Sequence, residues 1–466
     1  MAIKPISSKN IALIVTIAGS FLTPFMGSSL NIALPTIGRE FAMEAIWLSW
    51  IPTAYLLAAA VFLIPFGRMG DIYGRKKIFT WGIATFTLAS FLSALAPSGF
   101  FLVLFRLLQG MAGSMIFGTA VAILISIFPA QQRGKVIGLN VASVYLGLSL
   151  GPFIGGFLTG HWGWRSIFVL NLLLGILIFA AVRLPLPGEW AGARGERFDL
   201  FGSILYGLGL VSTMYGVTIL PAIQAGIFIA LGMGILAIFI QWERKAPNPM
   251  LDVKLFGQNR IFTFSNLAAL IDYCSTFGVG FLLSIFLQVA KGFQPWEAGT
   301  IMVAQPILQA LFSPVAGRLS DRVEPRILAS LGMACSFGGL VNLIFLSEET
   351  ALSRIILSFV FLGFGFGLFS SPNTHAIMSS VDRSMYGVAS GVVSTMRLIG
   401  QMLSMGIVTL CFAFFLGRVQ ITPASLPGFL TSSRTAFTAF AILSFLGIFA
   451  SLARGKIHRS RDHRNS

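Results

Sequence analysis

The chain has 466 residues and a formal net charge of +16, yet only 10% of its residues are charged and 56% are hydrophobic. A soluble domain carries about a quarter charged residues, so a soluble enzyme, a secreted disulfide scaffold and a disordered protein are excluded. Uncharged stretches such as 10–38 and 107–132 exceed the roughly 20 apolar residues that cross a bilayer, which indicates a polytopic membrane protein.

The apolar runs, taken in chain order and divided at charged or Pro/Gly-rich breaks, predict fourteen transmembrane helices. The runs are long and do not alternate in polarity, which favours helices over barrel strands. Pro221 supplies the only turn signal within the long run at 200–241. The predicted helices lie at 10–33, 46–66, 78–96, 100–127, 137–159, 165–183, 200–220, 222–241, 261–288, 297–316, 327–346, 353–372, 386–415 and 434–453.

The basic residues between the predicted helices fall mainly on one side of the membrane. If the N-terminus is cytoplasmic, the inside segments hold 24 Lys and Arg residues and the outside loops hold 6, with Arg106 and Arg397 inside helices. This positive-inside bias predicts that both termini, including Lys4 and the segment 454–464, are cytoplasmic. It also indicates contacts with the headgroups of the lipid bilayer, and not with nucleic acid.

A short loop between the second and third predicted helices occurs in a second, degenerate copy. Residues 67–77 read GRMGDIYGRKK, and residues 317–322 read GRLSDR. Similar loops at matching places in two halves indicate an internal duplication, as in many secondary transporters. Glycine permits a tight turn, and the carboxylate can cap a neighbouring helix; the alternative is a simple turn that marks topology. The candidate gating residues are Gly67, Asp71, Gly74, Arg75 and Lys76.

The loop at 67–77 resembles the signature of the major facilitator superfamily, and two further stretches share that resemblance. In the fourth helix, 106–113 is similar to the family's RxxQGxG pattern. In the fifth, GLSLGPFIGG is similar to the GxxxGPxxGG pattern of the family's antiporters. Three of its glycines stand four apart on one helix face, so another helix can approach closely, and the stretch alone is also consistent with a plain packing seam. The residues are Gly147, Gly151, Pro152, Gly155 and Gly156.

Three more stretches are similar to the fourteen-span drug:proton antiporter branch of that superfamily. They are NIALP at 31–35, WGWRSIFVLN at 162–171, and the extra helix pair at 200–241, which is entered through FDLFG. The branch commonly carries an Asp nine residues before the Pro of the first stretch, whereas this chain has Met26 there. The resemblance implies an all-α integral membrane protein with the major facilitator fold: two six-helix halves plus two extra helices.

Three charged residues lie deep within predicted helices: Arg106, Asp272 and Arg397. Charges at membrane depth are costly and usually mark a transport pathway or a proton relay. Asp272 and Arg397 lie about eleven residues, or roughly 16 Å, from the starts of their helices, which predicts a similar depth. Asp272 is the only deep carboxylate and therefore the candidate proton carrier; a structural ion pair with Arg397 is the alternative.

Neutral polar residues in the predicted helices form a second group of candidates. Arg106 and Gln109 of the RxxQGxG stretch are candidates for coupling or substrate binding, although Arg106 can equally tie helices together through backbone carbonyls. Each of the others can line a central cavity or form an interhelical hydrogen bond. These cavity candidates are Asn31, Asn140, Gln305, Gln309, Asn373 and Gln401.

These patterns predict a proton-coupled secondary transporter that exports small amphipathic or drug-like compounds by alternating access. We expect a monomer in the inner or plasma membrane, with a small-molecule substrate and protons as partners. The predicted parts are an N-terminal half at 1–195, two linker helices at 196–254, a C-terminal half at 255–455 and a basic tail at 456–466. The sequence has no nucleotide-binding loop, cofactor motif or metal-ligand spacing, so no enzyme activity, cofactor or metal site is expected.

Two alternatives stay open for the function. Two deep arginines against one carboxylate, together with Met26 in place of an acid, favour a transporter for an anionic or neutral metabolite. A membrane receptor or sensor built on a transporter fold is the second alternative. The intact gating loop and RxxQGxG stretch argue against that reading, because a sensor needs neither.

Overall fold

The structure, a computed structural model, describes residues 8–183, 189–247, 249–251, 253–382 and 385–455. Lys4 and the predicted basic tail 456–466 lie outside the described residues. The first eight helices are α1 Ser8–Glu40, α2 Ala45–Tyr73, α3 Arg75–Ala94, α4 Gly99–Ile127, α5 Ala130–Trp162, α6 Arg165–Arg183, α7 Leu200–Thr218 and α8 Ile223–Glu243. The other eight are α9 Lys254–Gln258, α10 Arg260–Ile285, α11 Pro295–Met302, α12 Ala304–Leu319, α13 Pro325–Ile344, α14 Leu352–Ser379, α15 Tyr386–Phe415 and α16 Leu426–Ala453.

The prediction of an all-α membrane protein is confirmed, and each of the fourteen predicted helices has a counterpart among the described residues. Several helices are longer than predicted, among them α1, α2, α5 and α14, and two differences have a clear physical reason or contact. The run at 297–316 is divided into α11 and α12, because Pro306 has no N–H to donate to the carbonyl of Met302. The last helix begins at Leu426 and continues through Arg434, whose Nε donates to the carbonyl of Leu346 at 2.6 Å.

Thirteen helical segments of the described chain are long and apolar enough to span a membrane. Helix α3 is not among them, because its first turn is Arg-Lys-Lys and it carries several hydroxyl side chains. Helices α2 and α4 nevertheless run side by side in the same direction, with Tyr55 against Gly110 and Gly67 against Gly118. Helix α3 joins them, so its 20 residues, about 30 Å of helix, run back along the bundle.

The helices pack in two groups and a peripheral pair. In the first group, α1 packs against α5, α2 against α4, and α3 against α4 and α6. In the second, α13 packs against α14 and α16, α12 against α14, and α10 against α15. Helices α7 and α8 pack mainly against each other, and α7 also touches α2 and α15. An ion pair between Arg165 and Glu40 joins α6 to α1 within the first group.

The two groups meet through contacts at the distal end, by which we mean the end of the bundle opposite Ser8 and Ala453. The hydroxyl oxygens of Ser49 and Thr409 lie 2.8 Å apart and join α2 to α15. Further bonds join α1 to α10, and the loops after α1 and α15 pair through an isolated backbone bridge. The main distal hydrogen bonds run from Ser284 Oγ to Asn31 O (2.6 Å), from Gln288 Nε2 to Ile32 O (2.9 Å) and from Ala45 N to Val419 O (2.9 Å).

Candidate functional site

The predicted gating loop is held together by an ion pair at the proximal end of the bundle, where Ser8 and Ala453 lie. Arg75 donates from Nε to Asp71 Oδ1 at 2.8 Å, across the turn between α2 and α3. Its Nη1 also donates to Ser126 Oγ at 2.6 Å and to the Ala122 carbonyl at 3.1 Å on α4. In this conformation the Asp71 carboxylate pairs with Arg75 and, within the described ranges, caps no neighbouring helix.

Residues 189–196 lie over this loop, a contact that no sequence motif predicts. Glu189 accepts hydrogen bonds from the backbone N–H groups of Lys76 at 2.8 Å and Lys77 at 3.3 Å, so it caps α3. Gly74 has φ +120°, and a Cβ there would lie 2.4 Å from the Glu189 carboxyl carbon. Arg68 and Glu196 form a further ion pair. Only glycine fits both the conformation and the space at position 74.

The GxxxGPxxGG stretch of α5 lies between α1 and α11. A Cβ at Gly147 would lie 2.7 Å from the Phe21 carbonyl oxygen, and a Cβ at Gly151 or Gly155 would collide with Ser28 or Ser29 of α1. A Cβ at Gly299 of α11 would lie 2.2 Å from the carbonyl oxygen of Pro152 on α5. A Cβ at Gly156 of α5 would lie 2.5 Å from the carbonyl oxygen of Pro295 on α11. The stretch therefore brings α5 into close contact with both helix groups at the distal end.

Arg106 is buried, with 1% of its surface exposed, and it joins three helices of the first group. Its Nε lies 3.4 Å from the Ile51 carbonyl oxygen on α2, and its Nη1 donates to Gln109 Oε1. Gln109 in turn donates to Ser90 Oγ on α3 at 2.9 Å. The guanidinium carbon lies 4.4 Å from the centroid of the Tyr55 ring. These contacts fit the structural alternative for Arg106, and its role in coupling stays a prediction.

Asp272 is fully buried in α10, and its carboxylate has no partner in the part of the chain that the structure describes. Neither oxygen forms a hydrogen bond or an ion pair with any described residue. Its backbone carbonyl accepts hydrogen bonds from Ser275 at 3.0 Å and Thr276 at 2.7 Å. The alternative of an ion pair with Arg397 is therefore not realised in this conformation. A carboxyl group buried in this way can bind a proton, because the ionised form has no counter-ion.

Arg397 of α15 lies instead against an aromatic cluster between the helix groups. Its guanidinium carbon is 5.3 Å from the centroid of the Tyr273 ring, and it is within electrostatic range of Tyr55. Tyr273 also contacts Phe366 edge to face, with centroids 5.2 Å apart. Nearby, the hydroxyl groups of Tyr145 and Ser370 lie 3.1 Å apart and join α5 to α14. We call Tyr55, Tyr145, Tyr273, Phe366 and Arg397 the central cluster.

The tyrosines of the central cluster are not among the residues predicted from the sequence. The chain has only seven Tyr against 44 Phe, so a phenol within an apolar helix was the available signal. The predicted cavity residues are less informative: Asn140, Gln309 and Gln401 are buried, and Asn31 and Gln305 are half-buried. Within the described ranges, no group of three or more His, Cys, Asp or Glu is placed to hold a metal ion.

Asn373 lies in a separate polar cluster at the proximal end of the second group. Arg454, which is 1% exposed, donates to Asn373 Oδ1 at 2.9 Å and also to the hydroxyl groups of Ser265 and Ser451. Burial lowers the pKa of the Arg454 guanidinium to about 10, and the charge of Arg326 acts in the same direction. Arg454 was counted with the basic C-terminal segment, but it is a packed residue that joins α16 to α10 and α14.

Comparison with known proteins places this architecture in a family. The sequence model of the Major Facilitator Superfamily matches residues 16–405 and 266–465. The chain is 30% identical over 444 residues to the riboflavin transporter RibZ of Clostridioides difficile (strain 630), covering 94% of this chain and 96% of the relative. It is 32% identical over 400 residues to the multidrug resistance protein Stp of Mycobacterium tuberculosis (strain CDC 1551 / Oshkosh), covering 84% of this chain and 73% of the relative.

Solved structures share the fold over almost the whole chain. One is a bacterial homolog of the human lysosomal transporter Spinster in an inward-facing, unoccupied conformation, with a TM-score of 0.68, 15% identity, and coverage of 97% and 98%. Another is the peptide transporter POT in complex with sulfate, with a TM-score of 0.69, 14% identity, and coverage of 97% and 99%. The chain belongs to the Major Facilitator Superfamily and is a multi-pass membrane transporter, not an enzyme.

Proposed function

We propose that the chain is a proton-coupled secondary transporter of the fourteen-span drug:proton antiporter branch, and that it exports small amphipathic compounds. It acts as a monomer in the cell membrane, with both termini cytoplasmic. The halves at 1–195 and 255–455 rock about the central cluster, while α7 and α8, within 196–254, stay peripheral. The observation that carries the proposal is the buried carboxylate of Asp272, which has no partner among the described residues.

The free energy of burying a carboxyl group explains why Asp272 suits proton transfer. An ionised carboxylate without a hydrogen bond or counter-ion is far more costly to bury than the neutral acid. Asp272 therefore holds a proton while α10 is packed as observed, with 0% of the residue exposed. A conformation that admits water or substrate beside α10 favours release of that proton. Proton loading and release are thus tied to the motion of the second helix group.

The central cluster supplies a site for an amphipathic substrate. Aromatic rings provide apolar contact area, and the guanidinium of Arg397 supplies one polar contact next to Tyr273. Arg397 forms no ion pair with any described residue, so its charge is available to a ligand. The relatives named for riboflavin transport and multidrug resistance support substrates of this size and character.

The distal contacts support one assignment of the conformation. If the basic segments face the cytoplasm, the distal end faces outside, and the hydrogen bonds of Ser49 and Ser284 close that side. Closure of that side is expected of an inward-facing state, which accepts a cytoplasmic substrate. We count α3, which connects α2 to α4, as the fourteenth span, in addition to the thirteen segments that are long and apolar enough to cross a membrane.

The proposal is tested by proton movement in proteoliposomes that contain the purified chain and an internal pH-sensitive dye. With an imposed pH gradient, riboflavin or an amphipathic dye should dissipate the gradient in vesicles containing the parent chain. Asp272→Asn should abolish this response. Glu349→Gln removes a carboxylate from an exposed distal loop and should leave the response intact. Substrate movement that is independent of the pH gradient in the parent would refute proton coupling.

Arg397 also favours a second candidate, a transporter for an anionic metabolite. It and Arg106 are both central, and neither is paired with a carboxylate among the described residues. An anion bound at Arg397 would be neutralised directly. The two candidates differ in Arg397→Gln: loss of transport for anionic but not neutral or cationic compounds supports the anion transporter, and unchanged selectivity excludes it.

A further inference from the structure

A cavity lies on the outer face of the first helix group, away from the central cluster. Its volume is about 460 Å³, and it is formed between the proximal ends of α3 and α6. Lys76, Lys77 and Glu189 form its proximal rim, while Trp81, Phe179 and Val182 form its apolar wall. Charged groups therefore line one end of the cavity, and aromatic and aliphatic groups line the rest.

The charged groups at the rim differ in the contacts that they already make within the protein. Glu189 caps the start of α3, where its Oε1 accepts hydrogen bonds from the backbone N–H groups of Lys76 and Lys77. The Lys77 side chain is exposed and forms no hydrogen bond or ion pair with any described residue. Its ammonium group is thus free to bind an anion at the rim, beside the charge of Lys76.

The apolar wall extends from the rim along the lipid-facing side of the bundle. Trp81 is 61% exposed although it lies only one turn beyond the lysines on α3. Tryptophan is preferred at the level of the headgroups, where its ring contacts both the polar and the acyl regions of lipid. Phe179 and Val182 of α6 complete a surface that suits an acyl chain. A soluble anion would contact only the charged rim, whereas a phospholipid would contact both the rim and the apolar wall.

We propose that this cavity binds an anionic phospholipid, with its phosphate at Lys76 and Lys77 and an acyl chain against Trp81, Phe179 and Val182. Basic pockets between transmembrane helices are suited to anionic headgroups. The bound lipid lies next to the loop of Asp71 and Arg75, so it stabilises the packing of α3 on α6 beside that loop. This inference does not depend on the substrate or on proton coupling.

Quenching of Trp81 by brominated lipids tests the proposal in vesicles that contain the full chain. The chain has eight Trp, so the contribution of Trp81 is the difference between the parent and Trp81→Phe. Brominated phosphatidylglycerol should quench this contribution at about a fivefold lower mole fraction than brominated phosphatidylcholine, the effect of one interfacial lysine. Lys77→Gln should remove most of that preference. Lys245→Gln, which removes an exposed charge at the same end but outside the cavity, should retain it.

Several results would overturn the lipid site. Equal quenching by the two lipids in the parent shows that the rim does not select an anionic headgroup. A preference that survives in the Lys76→Gln/Lys77→Gln double variant shows that these lysines do not bind it. An equal loss of preference in Lys245→Gln points to general surface charge. Loss of the preference on adding inorganic phosphate, at ionic strength matched with chloride, identifies free phosphate as the ligand.

Discussion

Replacing Asp272 with Asn distinguishes two roles for this residue: a proton carrier and a structural partner in an ion pair. Breaking a buried ion pair costs about 3–5 kcal/mol, because one charge is left without its partner. However, neither carboxylate oxygen of Asp272 has a partner among the residues that the structure describes, and Arg397 lies against Tyr273. A neutral amide then replaces a neutral acid of the same shape, so we expect the free energy of unfolding to change by less than about 1 kcal/mol. Proton-coupled accumulation should nevertheless be abolished.

Two measurements on the same preparations decide this prediction. Thermal unfolding of the purified protein in detergent gives the stability of the parent, Asp272→Asn, and the Asp272→Asn/Arg397→Gln double variant. Proteoliposome transport, with and without a pH gradient, gives coupling and downhill exchange separately. We expect similar stability in Asp272→Asn, preserved exchange, and no accumulation. The reasoning is refuted if Asp272→Asn is strongly destabilised and the double variant regains both stability and proton-coupled transport, because Asp272 is then a structural partner of Arg397.

Three further predictions concern the proximal loop and the topology. Gly74→Ala should destabilise the protein by about 1–3 kcal/mol, since φ is +120° and its Cβ meets the carboxyl group that caps α3; Gly138→Ala, in open space, is the control for thermal unfolding. Asp71→Asn should lower transport at matched expression, because Arg75 loses its ion pair, and parent-like transport would make the loop only a topology signal. In intact cells, an impermeant thiol reagent should label Ala424→Cys at the distal end but not Lys245→Cys, and labelling of both contradicts cytoplasmic termini.

The helices were predictable from the sequence because the bilayer fixes the length of each apolar run. The close approach at the α5 glycines was also predictable, since residues four apart share a helix face whatever lies opposite. The partners on that opposite side were not. Ser28 of α1 and Pro295 of α11 meet α5 through contacts between distant parts of the chain, and one sequence contains no signal for such pairings. The contact between Tyr145 and Ser370 could not be predicted for the same reason, because these residues are also far apart in the chain.

The relation between Asp272 and Arg397 shows what depth alone leaves undetermined. Counting residues places both at a similar height on α10 and α15, and these helices do pack together. Successive residues of a helix, however, point about 100° apart. Tyr273 faces the guanidinium of Arg397, so Asp272, one residue earlier, points elsewhere into the second group. A shared depth is necessary for an ion pair, but the shared face is missing here.

The distal contacts are of a kind that can open at low cost in free energy. None of the three ion pairs described above, Arg68–Glu196, Arg75–Asp71 and Arg165–Glu40, joins the two helix groups. The groups instead meet through uncharged contacts: α2 packs on α15, α5 packs on α11, and single hydrogen bonds join the two groups. Each such hydrogen bond contributes about 0.5–1.5 kcal/mol, and water replaces it when the groups separate. Glycine contacts such as Gly156 with Pro295 fix the closed position sterically and leave no charge unpaired on opening. The two states of the proposed cycle can therefore lie within a few kcal/mol, a difference that protonation of one buried carboxylate is large enough to reverse.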